Sequence, residues 1–115
     1  MEIKDAFGRH YPLSSVLRGV NSGWSHLVCR LIRDLEKLGW DGELHQIKEK
    51  FGGLRFYIGG GTDEIHSRIA DAENESYKTC EMCGESGGCK EIGGWTTTLC
   101  EGCYAKEVPS SGEEG

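Results

Sequence analysis

No apolar run in this chain approaches the ~18 residues that a membrane-spanning helix needs. The opening Met-Glu-Ile-Lys-Asp has no hydrophobic stretch of the kind a secretory signal carries. The expectation is a cytoplasmic protein with no membrane partner. The recurrent signatures of catalysis are missing as well. There is no H-E-x-x-H, no nucleophile elbow and no H-x-E…P-C-x-x-C deaminase pattern. Gly59-Gly60-Gly61 is followed by neither G-K-[ST] nor a G-x-G-x-x-G fingerprint, so it reads as a flexible joint and not as a phosphate loop. The four histidines, His10, His26, His45 and His66, are scattered and form no motif. No enzyme is expected.

Cysteine is present, and its spacing organises the chain. Cys80-Glu-Met-Cys83 and Cys100-Glu-Gly-Cys103 are two C-x-x-C pairs separated by sixteen residues. Each pair forms a tight knuckle that aims two sulfurs at one point, and two knuckles supply the four ligands of a closed tetrahedral Zn²⁺ site. Six cysteines also allow disulfides, but without an export signal a reducing compartment disfavours them. Cys89 has no C-x-x-C partner and stands as the alternative ligand; Cys29 reads as a small, half-buried hydrophobe. A chain of 115 residues can bury only one modest core. Structural zinc contributes on the order of 10 kcal/mol to folding, so the C-terminal third is expected to depend on it.

Charge is divided unevenly. Through Gly60 there are nine Lys and Arg against seven Asp and Glu, a net +2; beyond it the count is four against twelve, a net −8. Affinity for nucleic acid comes mainly from Lys and Arg, so the acidic half containing the cysteines tilts toward protein partners.

Four segments are expected. Residues 1–21 show no clean period and read as irregular, with one short turn near residues 15–18. Residues 22–79 form a small α+β core. In it, Trp24, Leu27, Val28, Leu31, Leu35 and Leu38 mark one helix face. Ser22 is the N-cap and Gly39 the left-handed stop that folds Trp40 back onto Leu35. A hairpin follows, with strands at 44–51 and 54–58 around a Gly52-Gly53 turn. That turn sets Phe51 opposite Leu54, Glu49 opposite Phe56 and Ile47 opposite Ile58. It leaves Lys48, Lys50, Arg55 and Tyr57 on the other side, with Lys50 facing Arg55. The bland reading of that side is a solvated face on which Glu49 pairs a cation; the sharper one is a site for an anion or an acidic partner. A second helix over 64–78, capped by Thr62 or Asp63, carries Ile65, Ile69, Ala72 and Ser76 inward and Asp71, Glu73 and Glu75 outward. Residues 80–104 form the zinc ribbon, with a second hairpin around Gly93-Gly94 and with Trp95 and Leu99 packed beside the metal. Residues 105–115 are an acidic tail of disorder composition. The fold class is therefore α+β, two helices packed on a short antiparallel hairpin with a C-terminal four-cysteine zinc ribbon.

Gly23-Trp24, the string Lys48-Glu-Lys-Phe-Gly-Gly-Leu-Arg-Phe-Tyr57, and Gly94-Trp95-Thr-Thr-Thr-Leu-Cys100 together resemble a group of small proteins encoded by bacteriophages and prophages. The likeness covers roughly residues 22–104. It implies a phage setting and a fold, and it transfers no catalytic residue. The function expected is a zinc-stabilised module that binds and modulates a host protein. Its surface is either the acidic helix (Asp71, Glu73, Glu75) or the basic hairpin face (Lys48, Lys50, Arg55, Tyr57). The alternative is a zinc ribbon that binds nucleic acid, which the acidity disfavours.

Overall fold

The computed structural model describes residues 3–107. The elements in order are β1 (Ile3–Lys4), β2 (His10–Tyr11), α1 (Leu13–Leu17), a 3-10 turn (Ser22–Trp24), α2 (Ser25–Lys37), β3 (Leu44–Lys50), β4 (Gly53–Ile58), α3 (Asp63–Ser76), β5 (Gly88–Ile92), β6 (Trp95–Leu99) and α4 (Glu101–Glu107). The strands form three separate antiparallel pairs, β1–β2, β3–β4 and β5–β6. The class is α+β, with small hairpins, helices and a C-terminal cysteine cluster.

Helix α2 supplies the centre of the core. Leu27, Val28, Leu31, Ile32 and Leu35 are all buried along it, and Trp24 is buried in the 3-10 turn that leads into it. It ends as the sequence predicts: Gly39 adopts φ 94°, its N–H donates to the Glu36 carbonyl, and the Trp40 N–H reaches back to the Leu35 carbonyl at 2.9 Å. Leu38, the C-cap residue just before this stop, is exposed and so drops out of the expected apolar face.

The N-terminal segment is more ordered than its lack of period suggests. Ile3 pairs with Tyr11 and is fully buried, the Lys4 N–H donates to the Gly42 carbonyl, and Val16 on α1 joins the same core. Single apolar residues between breakers leave no period to detect, yet each fills a gap that α2 leaves open. At the other end, helix α4 runs to residue 107, so residues 105–107 are helical and not tail. The rest of the expected disordered tail, residues 108–115, lies outside the described residues.

The β3–β4 turn differs from the expected one. Lys50 pairs with Gly53, Glu49 with Leu54, Lys48 with Arg55 and Ile47 with Phe56, so the two central turn residues are Phe51 and Gly52. Both have positive φ, 54° and 82°, as a primed turn requires. Sliding the turn by one residue shifts each pairing by two positions, which preserves the faces. Leu54 and Phe56 still point inward, and Lys48, Lys50, Arg55 and Tyr57 still share the other side. Phe51 leaves the buried set and stands 69% exposed at the tip. The cation opposite Arg55 is Lys48 rather than Lys50.

Helix α3 begins at the expected cap, with Thr62 Oγ1 accepting the Ile65 N–H. It also closes the free edge of β4. The Leu54 N–H donates to Ser76 Oγ at 2.8 Å and the Phe56 N–H to Glu73 Oε2 at 3.1 Å. Two ion pairs, Arg30–Glu75 and Arg68–Asp34, tie α3 to α2. Of the three acids expected on a free outer face, Asp71 alone is exposed and without an ion pair among the described residues. Glu73 serves the backbone of β4 and Glu75 serves Arg30.

Candidate metal centre

Cys80 follows α3 after a three-residue turn and sits at the base of a tight loop. Its N–H donates to the Glu85 carbonyl and its carbonyl accepts from Gly84, which has φ 86°. Thr79 and Ser86 bridge across the neck of the loop. Cys100 leaves β6 and opens α4, so the second knuckle is the first turn of a helix. The Cys103 N–H points at Cys100 Sγ, 3.4 Å away, and the Tyr104 N–H donates to the Cys100 carbonyl. An N–H from a first turn is a favourable partner for a thiolate.

The four sulfurs of Cys80, Cys83, Cys100 and Cys103 all lie within 4.8 Å of one another. Cys83 and Cys100 are 3.6 Å apart, and none of the four is in a disulfide. The sequence therefore identified a set that the fold brings together. Cys89, on β5 opposite Thr98, and Cys29, on α2, are outside the cluster.

Four cysteines so placed could hold a metal ion. Burial pushes the Cys80 thiol up, but the backbone N–H groups of Cys100, Cys83 and Met82 outweigh it, and its pKa falls to about 6. Cys103, hydrogen-bonded to Cys100 and Cys80, is pushed up to about 12. Four thiols so close cannot all ionise against each other, and a central cation removes that conflict.

Sequence reasoning missed Glu81, which lies between the two cysteines of the first knuckle. Its side chain is buried and its carboxylate makes no ion pair among the described residues. Instead, Oε1 accepts from Asn21 Nδ2 at 3.0 Å, and Oε2 accepts from Thr97 Oγ1 and the Thr98 N–H, both at 2.8 Å. The Glu81 main chain bonds both ways too, donating to Thr98 and accepting from Gly23. Thr98 Oγ1 then donates to the Gly52 carbonyl at 2.6 Å, which fastens the β3–β4 turn to β6. Trp24 Nε1 donates to the Thr79 carbonyl. A glutamate between two cysteines gives no sequence signal of burial, because its partners are 16 to 60 residues away.

The second hairpin forms as expected, with Ile92 opposite Trp95 and positive φ at Gly93 and Gly94. Leu99 is buried, but Trp95 is 70% exposed and does not pack into the cluster. On the basic hairpin face, Arg55 lies 6.0 Å from the centre of the Tyr77 ring, and Tyr77 occupies the space that a side chain at Gly53 would need. Glu49 does not reach across to a cation; its carboxylate accepts the Gly52 N–H at 2.7 Å. No helix among the described residues is long and apolar enough to cross a membrane. No known protein family, curated protein or solved structure matches the chain.

Proposed function

We propose that this chain is a small zinc-stabilised interaction module, phage-encoded, that binds a host protein in the host cytoplasm and blocks or redirects it. The observation that carries this reading is the closed donor set. A tetrahedral Zn²⁺ with Zn–S bonds of about 2.3 Å sets its sulfurs about 3.8 Å apart. The 3.6 Å between Cys83 and Cys100 is close to that spacing. Four cysteine ligands leave no open position for a substrate, so in this reading the metal acts as a staple and not as a catalyst. In this reading the α2–α3 pair on the β3–β4 hairpin is the platform, and the four-cysteine ribbon is a rigid extension of it.

The engagement of Glu73 and Glu75 within the fold favours the hairpin side over the acidic helix as the contact surface. Nucleic-acid binding is the second reading, favoured by Lys48 lying directly opposite Arg55. Affinity purification of the tagged chain from expressing bacteria tests the first reading. A stoichiometric host protein without turnover of any substrate is the expected result. Retention of DNA or RNA that is lost steeply with salt would instead establish the second.

A further inference from the structure

Two hairpin tips with exposed aromatic residues stand side by side. A cleft of about 310 Å³ lies between Phe51 and Lys50 on one tip and Trp95 on the other. Trp95 also walls a second cleft, of about 230 Å³, with Met82 and Ile92. A third, of about 280 Å³, is lined by Arg18 and Lys48. The three adjoin through shared walls and together mark one groove-like surface: the first and second share Trp95, the first and third share Glu49, and the second and third share Asn21.

This groove has a polarity. Arg18 and Lys48 line one end and Lys50 stands in the middle cleft beside Phe51, and none of the three makes an ion pair among the described residues. Trp95, Met82 and Ile92 form the other end, where the nearby Lys90 is already held by Glu101. Its floor is braced from beneath, because Asn21 and Thr97 are both held by the buried Glu81 carboxylate. Phe51 adds a separate indication. A bulky residue at positive φ is a true outlier, and Asn is the residue such a turn prefers at that position. Strain kept at an exposed tip points to a use for the side chain.

We propose that this groove docks a peptide segment of the partner protein, with carboxylates at one end and one or two large apolar side chains at the other. The inference rests on the interaction-module reading above. Charge complementarity selects the occupant. A polynucleotide carries a phosphate at every nucleotide and would need cations along the whole track, yet no Lys or Arg lines the Trp95–Met82–Ile92 cleft among the described residues. An apolar anchor suits Trp95 and its neighbours, and carboxylates suit Arg18, Lys48 and Lys50.

The test selects a random displayed peptide library on the metal-loaded chain and titrates the resulting consensus peptide. Trp24 and Trp40 are buried, so a fluorescence change on binding reports Trp95. The expected consensus pairs acidic with aromatic or aliphatic residues. Its affinity, read by calorimetry because Trp95→Ala removes the fluorescent reporter, should fall about thirtyfold in Trp95→Ala and in Phe51→Asn, as central aromatic anchors do. Phe51→Asn should melt no lower than the parent, which separates lost binding from lost folding. The double change Lys48→Glu with Lys50→Glu should weaken the same peptide and remove its salt dependence. The proposal is overturned if no peptide is enriched or if all variants bind equally. It is also overturned if oligothymidylate binds at Trp95 more tightly than any peptide, or if the chain forms a Trp95-dependent dimer in sedimentation. A host protein that co-purifies equally with these variants would sink the groove and leave the module reading standing. A peptide bound as described, with no host protein recovered, would do the reverse.

Discussion

A carboxylate can be buried without a cation if enough N–H and O–H donors converge on it, and Glu81 meets that condition with three. Removing it leaves the buried Thr98 N–H without a partner, so Glu81→Ala should cost about 3 kcal/mol in urea unfolding. The exposed Glu85→Ala should stay within about 0.5 kcal/mol. Equal effects would show that the Glu81 contacts do not hold the lobes together. Gly23 makes a related demand. A Cβ there would overlap the Cys80 carbonyl and the Glu81 main chain, whereas one at Gly88 meets nothing within 4 Å. Gly23→Ala should therefore destabilise by about 3 kcal/mol and Gly88→Ala by only a small fraction of that. Gly23-Trp24, read from the sequence as part of a resemblance, has a physical reason here: the glycine admits the first knuckle and the tryptophan bonds to its Thr79 carbonyl.

At the scale of elements, α3 closes an edge as well as covering a face. Unpaired strand edges invite association, and β4 avoids this by giving two outward N–H groups to Ser76 and Glu73. Glu73→Lys should lower stability by about 2 kcal/mol through the lost edge bond, while Asp71→Lys should change it by less than about 0.5 kcal/mol. Matching melts for the two variants would remove Glu73 from this role. The apolar stripe of α3 was legible in the sequence, and so were its cap, the α2 stripe and its glycine stop, because each is local and periodic. The β3–β4 faces were legible for the same reason, since alternation fixes parity. The turn was not, because Gly52-Gly53 is locally the better primed pair. What decides it is tertiary: Gly53 lies under Tyr77 and Gly52 against Thr98. The N-terminal strands escaped notice because Ile3 finds its place only against elements that follow it.

For the whole molecule, the cysteine cluster should govern more than its own lobe. The clustering of the four cysteines was legible because C-x-x-C spacing is a local signal, but the bonds that join the ribbon to the rest of the fold are not. Those bonds are Gly23 N–H to Glu81, Trp24 Nε1 to Thr79 and Thr98 Oγ1 to Gly52, at 2.7, 2.9 and 2.6 Å. All three reach residues next to one of the four clustered cysteines or on the strand leading into one. Stripping the metal leaves four crowded thiols with no shared cation, and metal binding of this kind is itself folding free energy. Elemental analysis should find one Zn²⁺ per chain, and chelation should loosen the ribbon and free the Trp24 indole from Thr79. The fluorescence should then shift to longer wavelength while the Trp40 side of the core stays folded. Acid acts in the same direction, since protons compete with the metal for thiolate. Serine at Cys80, Cys83, Cys100 or Cys103 should reproduce the loss, and serine at Cys29 or Cys89 should not. A metal-free sample that stays monodisperse, with unchanged tryptophan emission, would show that the lobes hold together without the staple.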